Sequence, residues 1–463
     1  MIDRVFKAYD IRGAYPNPLS EDVAWKIGYA TATYLKRSRQ NLRVNQRVRL
    51  ENTIVVGRDM RPSSPALAGA LIDGIAASGT DVIDVGMVDS AFIYFAINHL
   101  DCLAGIQTTA SHNPPADNGF KVSGPKARPI GAGSGLDEIK RIVATLRTGA
   151  TGLKGACQQI DLWPDYRQHV LKSLQLKRPL TVVVDASNGM AGRMAPQVFG
   201  GVDGLTVVPL LFQTDGSFVH PPNPLVESNL RLLKEKMERV KPDLGVCFDG
   251  DADRCVFLDE QARTIGCDLI TALLARDYLS VPQNKGATVV YDLRSSHVVP
   301  DVVRENGGVP RRERVGHAFI KSTMLQSNAV FGGEVSGHFY FRENFFTDSG
   351  AIALARVASV LSQSSGTFSQ LIGPFDRYAR TGELNFRVED KEGAMRSLAE
   401  NHKRLPIDYL DGITVDGGSW WFNVRKSNTE PFLRLNLEAQ DPQILATCLA
   451  NLKRILGEPI DGH

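Results

Sequence analysis

Cysteine is scarce: six residues in 463 (Cys102, Cys157, Cys247, Cys255, Cys267 and Cys448), with no CxxC pair and no His/Cys ligand spacing. This argues against a disulfide framework or a zinc site and for reduced, buried thiols in a cytoplasmic protein. Aromatic residues are also few, at 8%. None interleaves the basic run KRSRQNLRVNQRVR (36–49), which therefore reads as a solvated helix end and loop rather than a nucleic-acid arm. An excess of charge is missing, since 53 lysines and arginines against 51 aspartates and glutamates leave +2. No global attraction to nucleic acid or to an acidic membrane follows from that balance. No stretch approaches the ~18 uninterrupted apolar residues of a membrane span, and MIDRVFKAYDIRG lacks the apolar core of a secretory signal. Neither membrane insertion nor export is expected.

Apolar material for several cores is present: hydrophobic residues make up 43% of the chain and charged residues 22%. At ~100–200 residues per domain, the length predicts three or four domains. TIVVGRD (53–59), TVVVDAS (181–187) and TVVYDLR (288–294) share one design, a β-branched run reaching an Asp and polar residues. Each is followed by a second apolar run that ends in a polar loop: LAGIQTTASHN (103–113), LGVCFDGDADR (244–254) and AVFGGEVSGH (329–338). With helical patterns between them, these predict three related α/β units whose polar loops lie beyond the carboxyl ends of the strands. After GPFDRYARTGE (373–383) the pattern changes to that of an antiparallel α+β domain. The expected domains are 1–155, 156–260, 261–375 and 376–463.

Asp249, Asp251 and Asp253 alternate along DGDADR, and three such carboxylates can converge on one hard cation such as Mg²⁺; a structural acidic turn is the alternative. An EF-hand, with Glu260 as its last ligand, is disfavoured because Arg254 stands where the loop needs glycine and the flanks read as strands. Ser111 lacks the glycines of a G-x-S-x-G elbow, and its neighbour His112 is expected to point away, which weakens a hydrolase reading. A hydrogen-bonded turn before Pro114 and Pro115 would account for Ser111 and Asn113. Lys121 and Arg12, together with the metal loop, supply instead the positive charge that a phosphoryl group on Ser111 would need. Arg425, Ser427, Asn428 and Thr429 in RKSNTEP suit a phosphate dianion, or an ordinary turn. Glu334, Ser336 and His338 suit sugar hydroxyls and a proton near neutral pH, or a strand-end turn with a satisfied histidine. His317 and Lys321 could touch a sugar or phosphate, or sit on a capped surface helix.

The ordered set AYDIRG (8–13), TASHNP (109–114), DGDADR (249–254), GEVSGH (333–338) and RKSNTEP (425–431) closely resembles the α-D-phosphohexomutases, in their phosphomannomutase/phosphoglucomutase branch. The resemblance spans the whole chain. It implies three related mixed-sheet α/β domains and a smaller α+β C-terminal domain around a central cleft. By the same resemblance Ser111 is the phosphoserine. Asp249, Asp251 and Asp253 bind Mg²⁺ with the Ser111 phosphate, while Lys121, Arg12 and Arg254 assist transfer and His338 is the candidate proton carrier. Substrate-binding positions would be Tyr9, His317, Lys321, Glu334, Ser336, His338, Arg425, Ser427, Asn428 and Thr429. The implied reaction interconverts hexose 1-phosphate and 6-phosphate of mannose or glucose, with glucose 1,6-bisphosphate or mannose 1,6-bisphosphate as intermediate and activator. Small sugar phosphates are the implied partners, and monomer and dimer both stay open.

Three positions depart from the family pattern. Ala252 replaces a glycine of the metal loop, a strain if that position needs positive φ. Val335 replaces a methionine, and Arg294 stands where many relatives carry lysine. Glucosamine phosphate as substrate, a non-catalytic sugar-phosphate sensor and a serine hydrolase are the competing readings.

Overall fold

A computed structural model describes residues 2–7, 9–39, 48–146, 153–427 and 432–460. Asn428, Thr429 and most of the basic run lie outside the described residues. The chain forms two compact units, Met1–Cys267 with Ser336–Leu371, and Asp268–Val335 with Ile372–His463.

The repeat in the sequence becomes a repeat in strand order. In the first unit β1 (Ile11–Ala14), β2 (Leu50–Arg58), β3 (Asp81–Met87), β4 (Cys102–Thr108), β5 (Asp117–Ser123) and β6 (Cys157–Gln159) form a sheet in the order β1-β5-β4-β2-β3-β6. A second sheet, of β7 (Leu180–Asp185), β8 (Leu205–Leu210), β9 (Leu244–Phe248) and β10 (Cys255–Leu258), runs β10-β9-β7-β8. In the second unit β11 (Thr288–Asp292) pairs with β12 (Val309–Glu313) and β13 (Phe331–Gly333). The central strands β2, β7 and β11 each pair in parallel on both sides. Their valines and isoleucine are buried, as befits strands covered on both faces.

Each central strand leads into a buried aspartate that accepts the backbone N–H two residues on. Arg61 N–H donates to Asp59 at 3.0 Å, Ser187 N–H to Asp185 at 2.9 Å and Arg294 N–H to Asp292 at 2.8 Å. This Asx turn ends the strand and directs the chain outward, so one device is used three times. The antiparallel partners β5 and β10 make the first two sheets mixed.

Residues from 336 return to the first unit as an antiparallel hairpin of β14 (Phe339–Phe341) and β15 (Thr347–Asp348), followed by the helix Gly350–Gln363. The second unit closes with β16 (Ala379–Phe386), β17 (Ile407–Asp408), β18 (Ile413–Asp416), β19 (Trp420–Lys426) and β20 (Leu433–Ala439), all antiparallel in the order β16-β20-β19-β18-β17. Helices Lys391–Asn401 and Pro442–Leu456 pack on this sheet, whose core holds Phe386, Phe422 and Leu435. The fold is three α/β domains with mixed sheets and a smaller α+β C-terminal domain.

All six thiols are free, but not all are buried as expected: Cys157 is exposed and Cys448 half-buried. Cys157 lies on β6, a three-residue edge strand exposed along its length, where no second layer covers it. Among the described residues no helix is long and apolar enough to cross a membrane.

Candidate active site

The acidic loop starts at the carboxyl end of β9. Asp249, Asp251 and Asp253 are buried and each offers a carboxylate oxygen, all within 4.8 Å of one another. Two helix starts hold the loop by its main chain. Met190 N–H, beside the helix Ala191–Phe199, donates to Gly250 O at 2.8 Å; Ser90 N–H, first in the helix Ser90–Leu100, donates to Asp251 O at 3.1 Å. Ser90 Oγ also donates to Asp251 Oδ2 at 2.5 Å. Gly250 cannot be replaced cheaply, because a Cβ there would lie 2.4 Å from Ser111 O. Glu260 takes no part: its carboxylate accepts from the backbone and hydroxyl of Ser369, as the non-EF-hand reading requires.

Ala252 does adopt the left-handed backbone, with φ +60°. That conformation costs an L-residue about 1–2 kcal/mol, against the smaller entropic cost of glycine. Ala252→Gly is therefore expected to raise stability by about 1 kcal/mol or less with turnover retained, read from denaturant midpoints and steady-state rates.

Buried carboxylates so close together need cations. Lys121 Nζ donates to Asp251 Oδ2 and Asp253 Oδ2, both at 2.6 Å, and Arg254 Nε to Asp249 Oδ2 at 2.9 Å. Burial alone would lower the Lys121 pKa, but Asp251 and Asp253 hold it well above its usual value. Burial, with Asp253 and Asp251 beside it, pushes the Asp249 carboxyl up to about 6 despite Arg254. Two carboxylate oxygens of the loop, Asp251 Oδ1 and Asp253 Oδ1, are buried without a hydrogen-bond partner.

The helix that carries Ser90 is capped by Asp89, whose Oδ1 accepts from Phe92 N–H at 3.0 Å and Tyr166 OH at 3.1 Å. Burial raises the Asp89 carboxyl to about 7. Between roughly pH 4 and 7 the folded protein then holds a proton that the unfolded chain has released, so this group lowers stability as pH rises, by about 1.4 kcal/mol per unit. Asp89→Asn, neutral throughout and still an acceptor, is expected to flatten that slope in urea melts at pH 5 and 7.

Ser111 follows β4 with φ +51°, and its Oγ donates to Asp249 Oδ2 at 2.9 Å. The expectation for His112 fails, because its Nδ1 lies 3.2 Å from Ser111 Oγ. The reason is the left-handed turn at Ser111, which breaks the alternation of side chains along an extended chain. Arg254, burial, Arg12 and Lys121 together push the His112 pKa down to about 2, leaving the ring neutral. Arg12 Nη1 donates to Ala110 O at 3.0 Å and Asn113 Oδ1 at 2.7 Å, so it braces the serine loop. Tyr9 sits half-buried in the bend before β1.

The GEVSGH loop is shared between the units, and its last part reaches the acidic loop. Cys255 N–H donates to Gly337 O at 3.1 Å, and His338 Nε2 stands 3.5 Å from Asp253 Oδ1 and 3.8 Å from Asp348 Oδ2. Ser336 Oγ meets His338 Nδ1 at 2.9 Å and so sets the ring's orientation.

In the second unit Glu334 follows β13, and the next N–H, of Val335, donates to Asp292 Oδ2 at 2.9 Å. Arg294 Nη2 binds Asp292 Oδ2 at 2.7 Å and lies 3.9 Å from Glu334. Arg425 Nη2 and Arg434 Nη1 share Glu383, at 2.6 and 3.1 Å. Burial would raise the Glu383 carboxyl, but Arg425, Arg294 and Arg434 outweigh it and hold it below the usual range. Ser427 N–H closes its turn on Phe432 O at 3.0 Å. His317 opens the helix His317–Ser327, with buried Lys321 one turn further on.

Four family domains match the chain in order: phosphoglucomutase/phosphomannomutase alpha/beta/alpha domain I at residues 3–149, domain II at 164–264, domain III at 267–378 and the C-terminal domain at 383–455. The phosphohexose mutases of Xanthomonas campestris pv. campestris (strain B100) are 38% identical over 459 residues, covering 97% of this chain and 98% of theirs. The chain belongs to the phosphoglucomutase/phosphomannomutase family. The protein is thus a mutase, an isomerase. The phosphomannomutase of Escherichia coli (strain K12) is 36% identical over 468 residues, covering 98% of this chain and 99% of its own. A solved phosphoglucomutase/phosphomannomutase family protein from Burkholderia thailandensis superposes with a TM-score of 0.87 at 33% identity, covering 98% of this chain and 96% of that one.

Sequence reasoning missed several residues of this mutase. Arg61 and Asp59 support the serine loop, Ser90 and Met190 dock the acidic loop, and Glu383 ties Arg425 to Arg434. The only local signal was the Asp that closes each β-branched run. The partners of Glu383 lie 42 and 51 residues away in sequence, beyond any local pattern.

Proposed function

We propose that the enzyme interconverts the 1- and 6-phosphates of mannose and glucose, with Ser111 as the phosphoryl carrier. The observation that carries this reading is Ser111 Oγ, 2.9 Å from Asp249 within three buried aspartates held by Lys121 and Arg254. The three carboxylates are hard oxygen donors, and Asp251 Oδ1 and Asp253 Oδ1 are buried without a hydrogen-bond partner, so the residues fit Mg²⁺. When bound, the ion would neutralise charge on the transferring phosphoryl group.

Three aspartates and a serine phosphate of about two negative charges would be met by Lys121, Arg254 and one divalent cation, with Arg12, itself paired to Asp10, beside the serine loop. Ser111 Oγ gives its phosphoryl to the free hydroxyl of the sugar phosphate: the Oγ–P bond breaks as the new O–P bond forms, the hydroxyl proton leaves to His338, and the departing Oγ takes up a proton from water that it gives back when it attacks the bisphosphate. The 1,6-bisphosphate turns end for end, and Ser111 Oγ takes back the other phosphate. Arg425 and Ser427, with Asn428 and Thr429, hold the phosphate that is not reacting; Glu334, His317, Lys321 and Tyr9 contact the sugar phosphate.

Incubation with glucose 1,6-bisphosphate and Mg²⁺, followed by intact mass and peptide mapping, tests the reading. One phosphate on Ser111 supports it, whereas an unmodified Ser111 in folded, Mg²⁺-treated protein overturns it. Turnover on mannose 1-phosphate, glucose 1-phosphate and glucosamine 6-phosphate then ranks the substrates.

A further inference from the structure

We propose that Arg61, Asp59 and Thr109 clamp the main chain at Ser111 and are positioning residues for phosphoryl transfer, an inference that rests on Ser111 being the carrier. Arg61 is 1% exposed, and its guanidinium donates to four backbone carbonyls of one loop. Nη1 reaches Pro114 O at 2.6 Å and Asp117 O at 2.9 Å; Nη2 reaches Ser111 O at 2.9 Å and Asn113 O at 2.7 Å. A planar fork of fixed donors can gather carbonyls in this way, and an ammonium on a flexible stem cannot.

The other main-chain group of Ser111 is held as well. Ser111 N–H donates to Thr109 Oγ1 at 2.9 Å, and Thr109 Oγ1 donates to Asp59 Oδ2 at 2.7 Å. Asp59 also pairs with Arg61 Nε at 3.2 Å and accepts from the Arg61 N–H and from Ser64 Oγ, so the buried charge of Arg61 is balanced. The Phe218 ring covers the guanidinium at 5.1 Å. Both peptide groups that set φ and ψ of Ser111 are therefore tied to a rigid, buried ion pair.

This arrangement has a chemical use. Ser111 stands at φ +51°, a conformation a serine does not keep unaided, and that conformation aims Oγ at Asp249. Transfer between Oγ and a sugar oxygen depends on position to within a fraction of an ångström, since misplacement by ~1 Å costs about 10²-fold.

Two variants separate positioning from bulk stability. Thr109→Val keeps shape and removes the acceptor for Ser111 N–H, with Thr109→Ser as its conservative control; Arg61→Lys keeps charge and loses the fork. In Thr109→Val and Arg61→Lys, kcat and the rate at which Ser111 takes phosphate from glucose 1,6-bisphosphate are expected to fall about 10²-fold, with KM within about threefold. Thr109→Ser is expected to restore both rates. Wild-type rates in the two variants, even with a lowered melting temperature, would overturn the clamp while leaving the carrier reading intact. Absence of phosphate on wild-type Ser111 would instead overturn the carrier reading and the clamp with it. If Arg61→Lys does not fold, the Thr109 pair decides alone.

Discussion

Ser111→Ala is expected to lower turnover of mannose 1-phosphate or glucose 1-phosphate by ~10⁴-fold or more, as for removal of a covalent nucleophile. The fold should survive. The hydroxyl donates to Asp249, which keeps Arg254 as a partner, and meets the half-buried ring of His112 at 3.2 Å, so the change in unfolding free energy should be about 1 kcal/mol. Alanine meets the left-handed backbone at φ +51° much as serine does, and the clamp from Arg61 acts on the main chain, which the substitution leaves in place. Steady-state rates and thermal melts check this together. Near-wild-type rates in a folded variant would sink the phosphoserine mechanism. A sensor that binds without catalysis would show itself differently, by calorimetric binding of sugar phosphate to the wild type with no turnover.

Metal removal has the second-largest expected effect. Chelation of divalent cations should abolish turnover, and added Mg²⁺ should restore it, because three buried carboxylates share the fixed charges of Lys121 and Arg254, with the His338 ring 3.5 Å from Asp253. Binding to the folded state alone also stabilises it, by about 2.7 kcal/mol at a hundred times Kd. The melting temperature of the wild type should therefore rise with Mg²⁺ concentration. Asp251→Asn removes the charge of one of the two carboxylates that carry an unpartnered oxygen, and should cost ~10²–10³-fold in kcat, in line with loss of one electrostatic stabiliser, and abolish the Mg²⁺-dependent rise. Equal stabilisation of wild type and variant by Mg²⁺ would place the ion elsewhere.

Much of this could be read along the chain. The β-branched runs ending in Asp59, Asp185 and Asp292 became three central parallel strands, each closed by the same turn, because strand burial and Asx turns are local consequences of residue type. The convergence of the DGDADR carboxylates was legible, since aspartates at alternate positions in one short loop can meet at a single point. The doubt over Ala252 was legible for the same reason, glycine and alanine differing in which backbone angles they tolerate.

Contacts between distant segments were not legible. His112 reaches Ser111 because one residue turned left-handed, and the carbonyl of that residue is held by Arg61 from fifty residues upstream, which no local pattern shows. Lys121 meets Asp251 and Asp253 across 130 and 132 residues, and its charge state follows from burial beside them. Residue type and periodicity thus settled the strands, the turns and the kinds of chemistry available. Tertiary packing alone decided which side chains meet, which carboxylates lose their water and how the serine is aimed, because these depend on distances between segments that no local pattern encodes.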